Sequence, residues 1–104
     1  GNIIGARTII NSDAELGDFC LMADQVSIGH ESRIKNFVTT KTHATIGGQV
    51  PINNQSVISA RSNIINNVVI VENCFLKENA LVLKDVPDAA ILEGAPGKIT
   101  NRDL

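Results

Sequence analysis

The chemistry open to this 104-residue chain rests on few side chains, chiefly two histidines and two cysteines. His30 stands in the stretch VSIGHESRIKNFV and is followed at once by Glu31. A neutral imidazole accepts a proton near pH 7, and a carboxylate beside it orients the ring or stabilises its protonated form. Eighteen residues after His30 lies Gly48, in the stretch IGGQV. Gly47 and Gly48 carry no side chain, so the backbone there is uncovered and an amide can face the oxygen of a thioester. An imidazole base beside such an amide suits acyl transfer: one takes the acceptor's proton, the other stabilises the tetrahedral oxyanion. The same residues also read as an ordinary polar corner followed by a turn.

The eighteen-residue offset has meaning because the chain repeats. Stepping by six from Ile4 gives Ile10, Leu16, Met22, Ile28, Ile34, Thr40, Ile46, Ile52, Ile58, Ile64, Ile70, Leu76 and Val82, and Thr40 alone is not a large aliphatic residue. Four residues after each of these positions the chain carries only small or β-branched residues and the two cysteines, from Thr8 and Ala14 through Cys20 and Cys74 to Val86. A period of six fits neither the 3.6 of a helix nor the 2 of a plain strand. It fits short strands separated by regular corners, three to a coil, with parallel coils stacked about 4.8 Å apart. The expected fold is all-β: a left-handed parallel β-helix of about five 18-residue coils over 1–86, with a C-terminal capping segment over 87–104. In the cap, Pro87, Gly94, Pro96 and Gly97 break the period and cover the last ladder. The chain opens inside the repeat, as a piece of a longer parent would.

In this frame His30 and Glu31 occupy a corner, pointing outward, with Gly48 one coil above them. Cys20 and Cys74 lie three coils apart, roughly 14 Å at that spacing, too far for a disulfide. They read as small corner fillers, and no metal site is expected because no other ligand type shares their spacing. His43 falls in a column with Arg7, Gln25, Arg61 and Asn79, which reads as solvated surface. Just before the inward positions of one face stand Leu21, Thr39, Val57 and Phe75, an apolar stripe, with Phe19 and Phe37 stacked on the adjacent corner. A small monomer does not expose such a patch, and a three-sided solenoid closes naturally as a homotrimer. Net charge is −2, without a basic cluster. Neither nucleic acid nor a membrane surface is therefore an expected partner. With no signal peptide visible, the expected location is cytoplasmic.

The hexads, together with the ending LVLKDVPDAAILEGAPGKI, resemble the hexapeptide-repeat acyltransferases. The GHE stretch narrows the resemblance to the branch that acetylates amino sugars and sialic acids. The resemblance implies acetyl-coenzyme A as acyl donor and an amino sugar or sugar nucleotide as acceptor. It also implies a trimer with sites between subunits, His30 as base and Gly48 as the glycine of the oxyanion site. Ala60 keeps the small-residue feature along which the coenzyme's pantetheine arm lies. One coil on, the expected glycine-rich stretch is replaced by Lys77, Glu78 and Asn79. Lys84 and Lys98, and with them Lys77, are candidates to pair with the coenzyme's phosphates. The family's usual Pro-Gly turn is absent at His43, and Thr39 stands where some relatives place a second histidine. The alternative from another class is a non-catalytic trimeric β-helix that binds or oligomerises without turnover.

Overall fold

A computed structural model describes residues 1–101. Among these residues there is no α-helix, and strands of two residues recur every six: Ile3–Ile4, Ile9–Ile10, Glu15–Leu16, and so on to Asn63–Ile64. Every hexad alternates one outward and one inward residue on a flat face and then turns. The inward residues are the aliphatic set of the repeat. Met22, Ile28, Ile46, Ile52, Ile58, Ile70 and Leu76 are buried to 1% exposure or less, so an apolar column interrupted by Thr40 fills the solenoid, while Ile4 and Ile10 of the first coil remain exposed.

Three faces result. Sheet A stacks Ile3, Leu21, Thr39, Val57, Phe75 and Ile91. Sheet B stacks Ile9, Ser27, Thr45, Asn63 and Leu81. Sheet C stacks Glu15, Arg33 and Pro51 and continues through bridges from Ile52 to Ile70 and Val86. All coil-to-coil pairing is parallel, and up to Leu76 partners differ by eighteen residues, as the period requires. The fold is a left-handed parallel β-helix of about five turns, 37 Å long and about 20 Å across.

The corners explain the residue choice between strands. The third residue after each inward position is left-handed, with φ from 57° to 66°, at Arg7, Asp13, Phe19, Gln25, Glu31, Phe37, His43, Gln49, Gln55, Arg61, Asn67, Asn73 and Asn79. None is β-branched, the class for which this conformation is most strained. Corner amides are capped from the coil above: Asp24, Asn36 and Asn54 accept the backbone N–H of Ala6, Asp18 and Asn36 at 2.8–3.0 Å.

The period breaks where the last coil is two residues shorter, pairing Ile70 with Val86 and Leu76 with Leu92. The shortening falls in the corner Leu83–Asp85. The parallel ladder runs on through Leu92 and then reverses, so that Leu92 and Glu93 pair antiparallel with Ile99 and Lys98. This hairpin covers the end of sheet A with its own chain. Gly97 sits too close for any side chain: a Cβ there would lie 2.6 Å from Leu92 Cδ2. Cys20 and Cys74 are buried and unpaired with each other, as their spacing requires. Their thiols donate to the carbonyls of Lys35 at 2.9 Å and Pro87 at 3.1 Å.

Candidate active site

The corner between sheets B and C brings His30, Glu31 and Gly48 together. Both side chains of the pair are more than half exposed, and His30 Nδ1 lies 3.3 Å from Glu31 Oε1. A carboxylate only accepts, so this contact puts the imidazole proton on Nδ1 and leaves Nε2 with a lone pair. Glu31 is the left-handed residue of this corner (φ 61°).

Gly48 gives the ring its place. A Cβ on Gly48 would stand 2.7 Å from His30 Nε2 and about 3 Å from two ring carbons. The imidazole thus lies against bare backbone one coil up, and any side chain at Gly48 displaces it. The glycines at 29 and 47 serve the stacking of the same corner: a Cβ on Gly29 would collide with the backbone of Gly47, and one on Gly47 would meet Asn66 Oδ1 at 2.5 Å.

The Gly48 amide is engaged, donating to Asn66 Oδ1 at 2.8 Å. This is the asparagine cap of the other corners. Asn66 shares the corner column of His30, Gly48 and Lys84, but its spacing alone does not tell that its side chain covers the Gly48 amide. The N–H of Gly48 faces a ligand oxygen only when the Asn66 side chain turns away.

Beside Glu31 a polar hollow opens between Asp13, Glu15, Arg33 and Gln49, with Arg33 Nε 3.3 Å from Glu15 Oε2. Lys84 lies in the column of His30 and Gly48, toward the C-terminal end. It lines a second hollow with Lys98 and the carboxylate of Asp85, walled by Val82, Leu83, Leu92 and Ile99. Two ammonium groups over an apolar wall suit a ligand that is anionic at one end and apolar at the other. Lys77 is apart from them and engaged, 3.6 Å from Glu93. Ala60 is on the corner between sheets A and B, so within one chain it does not share a site with His30.

The apolar stripe and the phenylalanine pair are at the surface. Phe19 is 64% exposed and Phe37 56%, their rings stacked with centroids 5.2 Å apart. Ile3, Leu21 and Phe75 are exposed on sheet A.

Relatives share this architecture. A serine acetyltransferase of Mycobacterium tuberculosis is 30% identical over 103 residues, covering 95% of this chain and 42% of its own length. WeeI from Acinetobacter baumannii superposes with a TM-score of 0.89 at 22% identity, over 96% of this chain and 52% of that one. The chain resembles the hexapeptide-repeat acyltransferases. PerB from Caulobacter crescentus, solved in complex with CoA and GDP-perosamine, superposes with a TM-score of 0.70 at 18% identity, over 95% of this chain and 58% of that one. This chain thus spans between two fifths and three fifths of the length of each. No family model matches it.

Proposed function

We propose that the protein is a coenzyme A-dependent acetyltransferase acting on a hydroxyl or amine of a sugar-like small molecule, with His30 as general base. The observation that carries this reading is the imidazole paired with Glu31 at Nδ1, its side chain more than half exposed and its ring laid against Gly48 one coil above. The serine acetyltransferase relative supports acetyl transfer, and the CoA and GDP-perosamine complex of a protein with this fold supports the donor and the acceptor class.

In the proposed step the acceptor's oxygen or nitrogen attacks the thioester carbonyl while its proton passes to His30 Nε2. The oxyanion of the tetrahedral intermediate takes a hydrogen bond from the Gly48 N–H, displacing Asn66. Collapse breaks the carbon–sulfur bond, and the imidazolium returns its proton to the departing thiolate. Glu31 holds the ring proton on Nδ1 and so keeps Nε2 free for the acceptor's proton. Lys84 and Lys98 take the coenzyme's phosphates, and Ala60 of a neighbouring subunit leaves room for its pantetheine arm.

The subunits form a homotrimer in this reading. With the Phe19–Phe37 corner on the threefold axis, sheet A of one subunit meets sheet C of the next. The A–B corner of one subunit then meets the B–C corner of its neighbour at the outer rim, so the groove lies between chains. Thiol release from acetyl-coenzyme A, measured with L-serine and with UDP- and GDP-linked amino sugars, tests the activity. Acceptor-dependent release by the wild type that is lost in His30→Ala is the expected result. Equal release by both proteins rules out the base, and release by neither rules out the enzyme.

A further inference from the structure

The corner between sheets A and B carries an imidazole that the reaction above leaves unused. Thr42 Oγ1 lies 3.0 Å from the carbonyl oxygen of Asp24 and 2.8 Å from His43 Nδ1. The same carbonyl accepts the backbone N–H of His43 at 3.2 Å. A carbonyl cannot donate, so the single hydroxyl proton of Thr42 goes to Asp24. Oγ1 can then meet Nδ1 only as an acceptor, which puts the ring proton on Nδ1 and the lone pair on Nε2. His43 is exposed, and its backbone is fixed in the left-handed corner conformation, φ 62°. The solenoid therefore presents a second, exposed imidazole with a set tautomer, anchored through Thr42 to the coil below.

Its height along the solenoid gives the ring a task. His43 follows His30 by thirteen residues, less than one coil, which is a rise of roughly 3–4 Å at 4.8 Å per coil. Rotation about an axis parallel to the solenoid leaves heights unchanged. In the trimer proposed above, the neighbour's His43 thus stands roughly 3–4 Å above His30, near the level of Gly48, on the corner that faces it. We propose that His43 is an acceptor-binding residue of the acyl-transfer site, supplied by the neighbouring subunit. Its Nε2 takes a hydrogen bond from a second donor of the acceptor molecule, an adjacent hydroxyl or the remaining N–H of the amine, while His30 takes the proton that is lost. This rests on the transferase and trimer readings. It predicts a preference for acceptors with two neighbouring donors.

Three measurements test it on the full chain. In the protein alone, long-range ¹H–¹⁵N correlation should show His43 protonated at Nδ1, and Thr42→Val should release it to the Nε2–H form; an Nε2–H wild type overturns the proposal without touching the transferase reading. With the best amino-sugar nucleotide of the panel, His43→Ala should raise the acceptor KM about tenfold, the worth of one hydrogen bond. The kcat and the KM for acetyl-coenzyme A should hardly move, and an unchanged acceptor KM overturns the assignment. Finally, His43→Ala protein is refolded with excess His30→Ala protein. All active bases then come from the first chain, and nearly all facing His43 residues from the second. Return of the low KM shows that His43 acts across the interface, and persistence of the high KM contradicts it. A wild type with no transferase activity overturns the parent reading, and this one with it.

Discussion

At the scale of single residues, the interior is nearly uniform and its exception is instructive. Thr40 occupies an aliphatic position, fully buried, and its Oγ1 has no hydrogen-bond partner among the described residues. Thr40→Val keeps the shape and removes the orphaned hydroxyl, so it should stabilise the fold by about 1–3 kcal/mol; chemical denaturation reads this, and a destabilised variant contradicts it. Gly48→Ala should act oppositely on function. The added methyl would occupy the place of the His30 ring, so turnover should fall while the circular dichroism spectrum stays that of the wild type. Cys74 carries a pH signature. Burial is the largest cause that pushes its thiol above the ordinary value, with the Asp88 charge adding to it. Above the unfolded thiol's pKa of about 8.5 the unfolded chain releases a proton that the native state retains. Stability should therefore be full below that pH and decline as pH rises through the window up to the raised native value, and Cys74→Ala should flatten that limb in thermal melts.

At the scale of the element, the six-residue period carried most of the fold, because each hexad repeats one constraint: a large aliphatic residue inward, then a corner. That is why the strand positions, the free cysteines and the phenylalanine stack were legible before any coordinates. The corner capping was harder to see. Its partners sit eighteen residues apart on residues that look like ordinary surface, so the contacts of Asn66 with the Gly48 amide and of Thr42 with the Asp24 carbonyl carried no local signal. The shortened last coil was visible only as a broken period, since the sequence could not tell a lost register from one shortened by two residues. The left-handed corner column makes its own prediction. Gln55 has φ 64° and is exposed, so Gln55→Val loses little contact yet forces a β-branched residue into that region. It should destabilise by about 1–3 kcal/mol, while Gln55→Asn should be neutral or stabilising. Equal stability of the two variants would contradict the corner account.

At the scale of the whole molecule, the exposed phenylalanine corner and the apolar stripe of sheet A are the features a lone subunit leaves unsatisfied. Multi-angle light scattering at micromolar concentration should report three times the mass of the chain, and Phe19→Glu with Phe37→Glu should reduce it to one. A wild-type monomer would remove the groove in which the proposed chemistry is set. The central claim is that this corner performs acetyl transfer through His30. The most direct test is the steady-state rate of acetyl-coenzyme A-dependent acylation of an amino-sugar nucleotide by the wild type and by His30→Ala. Loss of the base should lower kcat by about 10²–10⁴-fold. Affinity for acetyl-coenzyme A, followed by calorimetry, should stay the same. Rates that differ by less than tenfold, with both proteins folded and trimeric, would contradict the account.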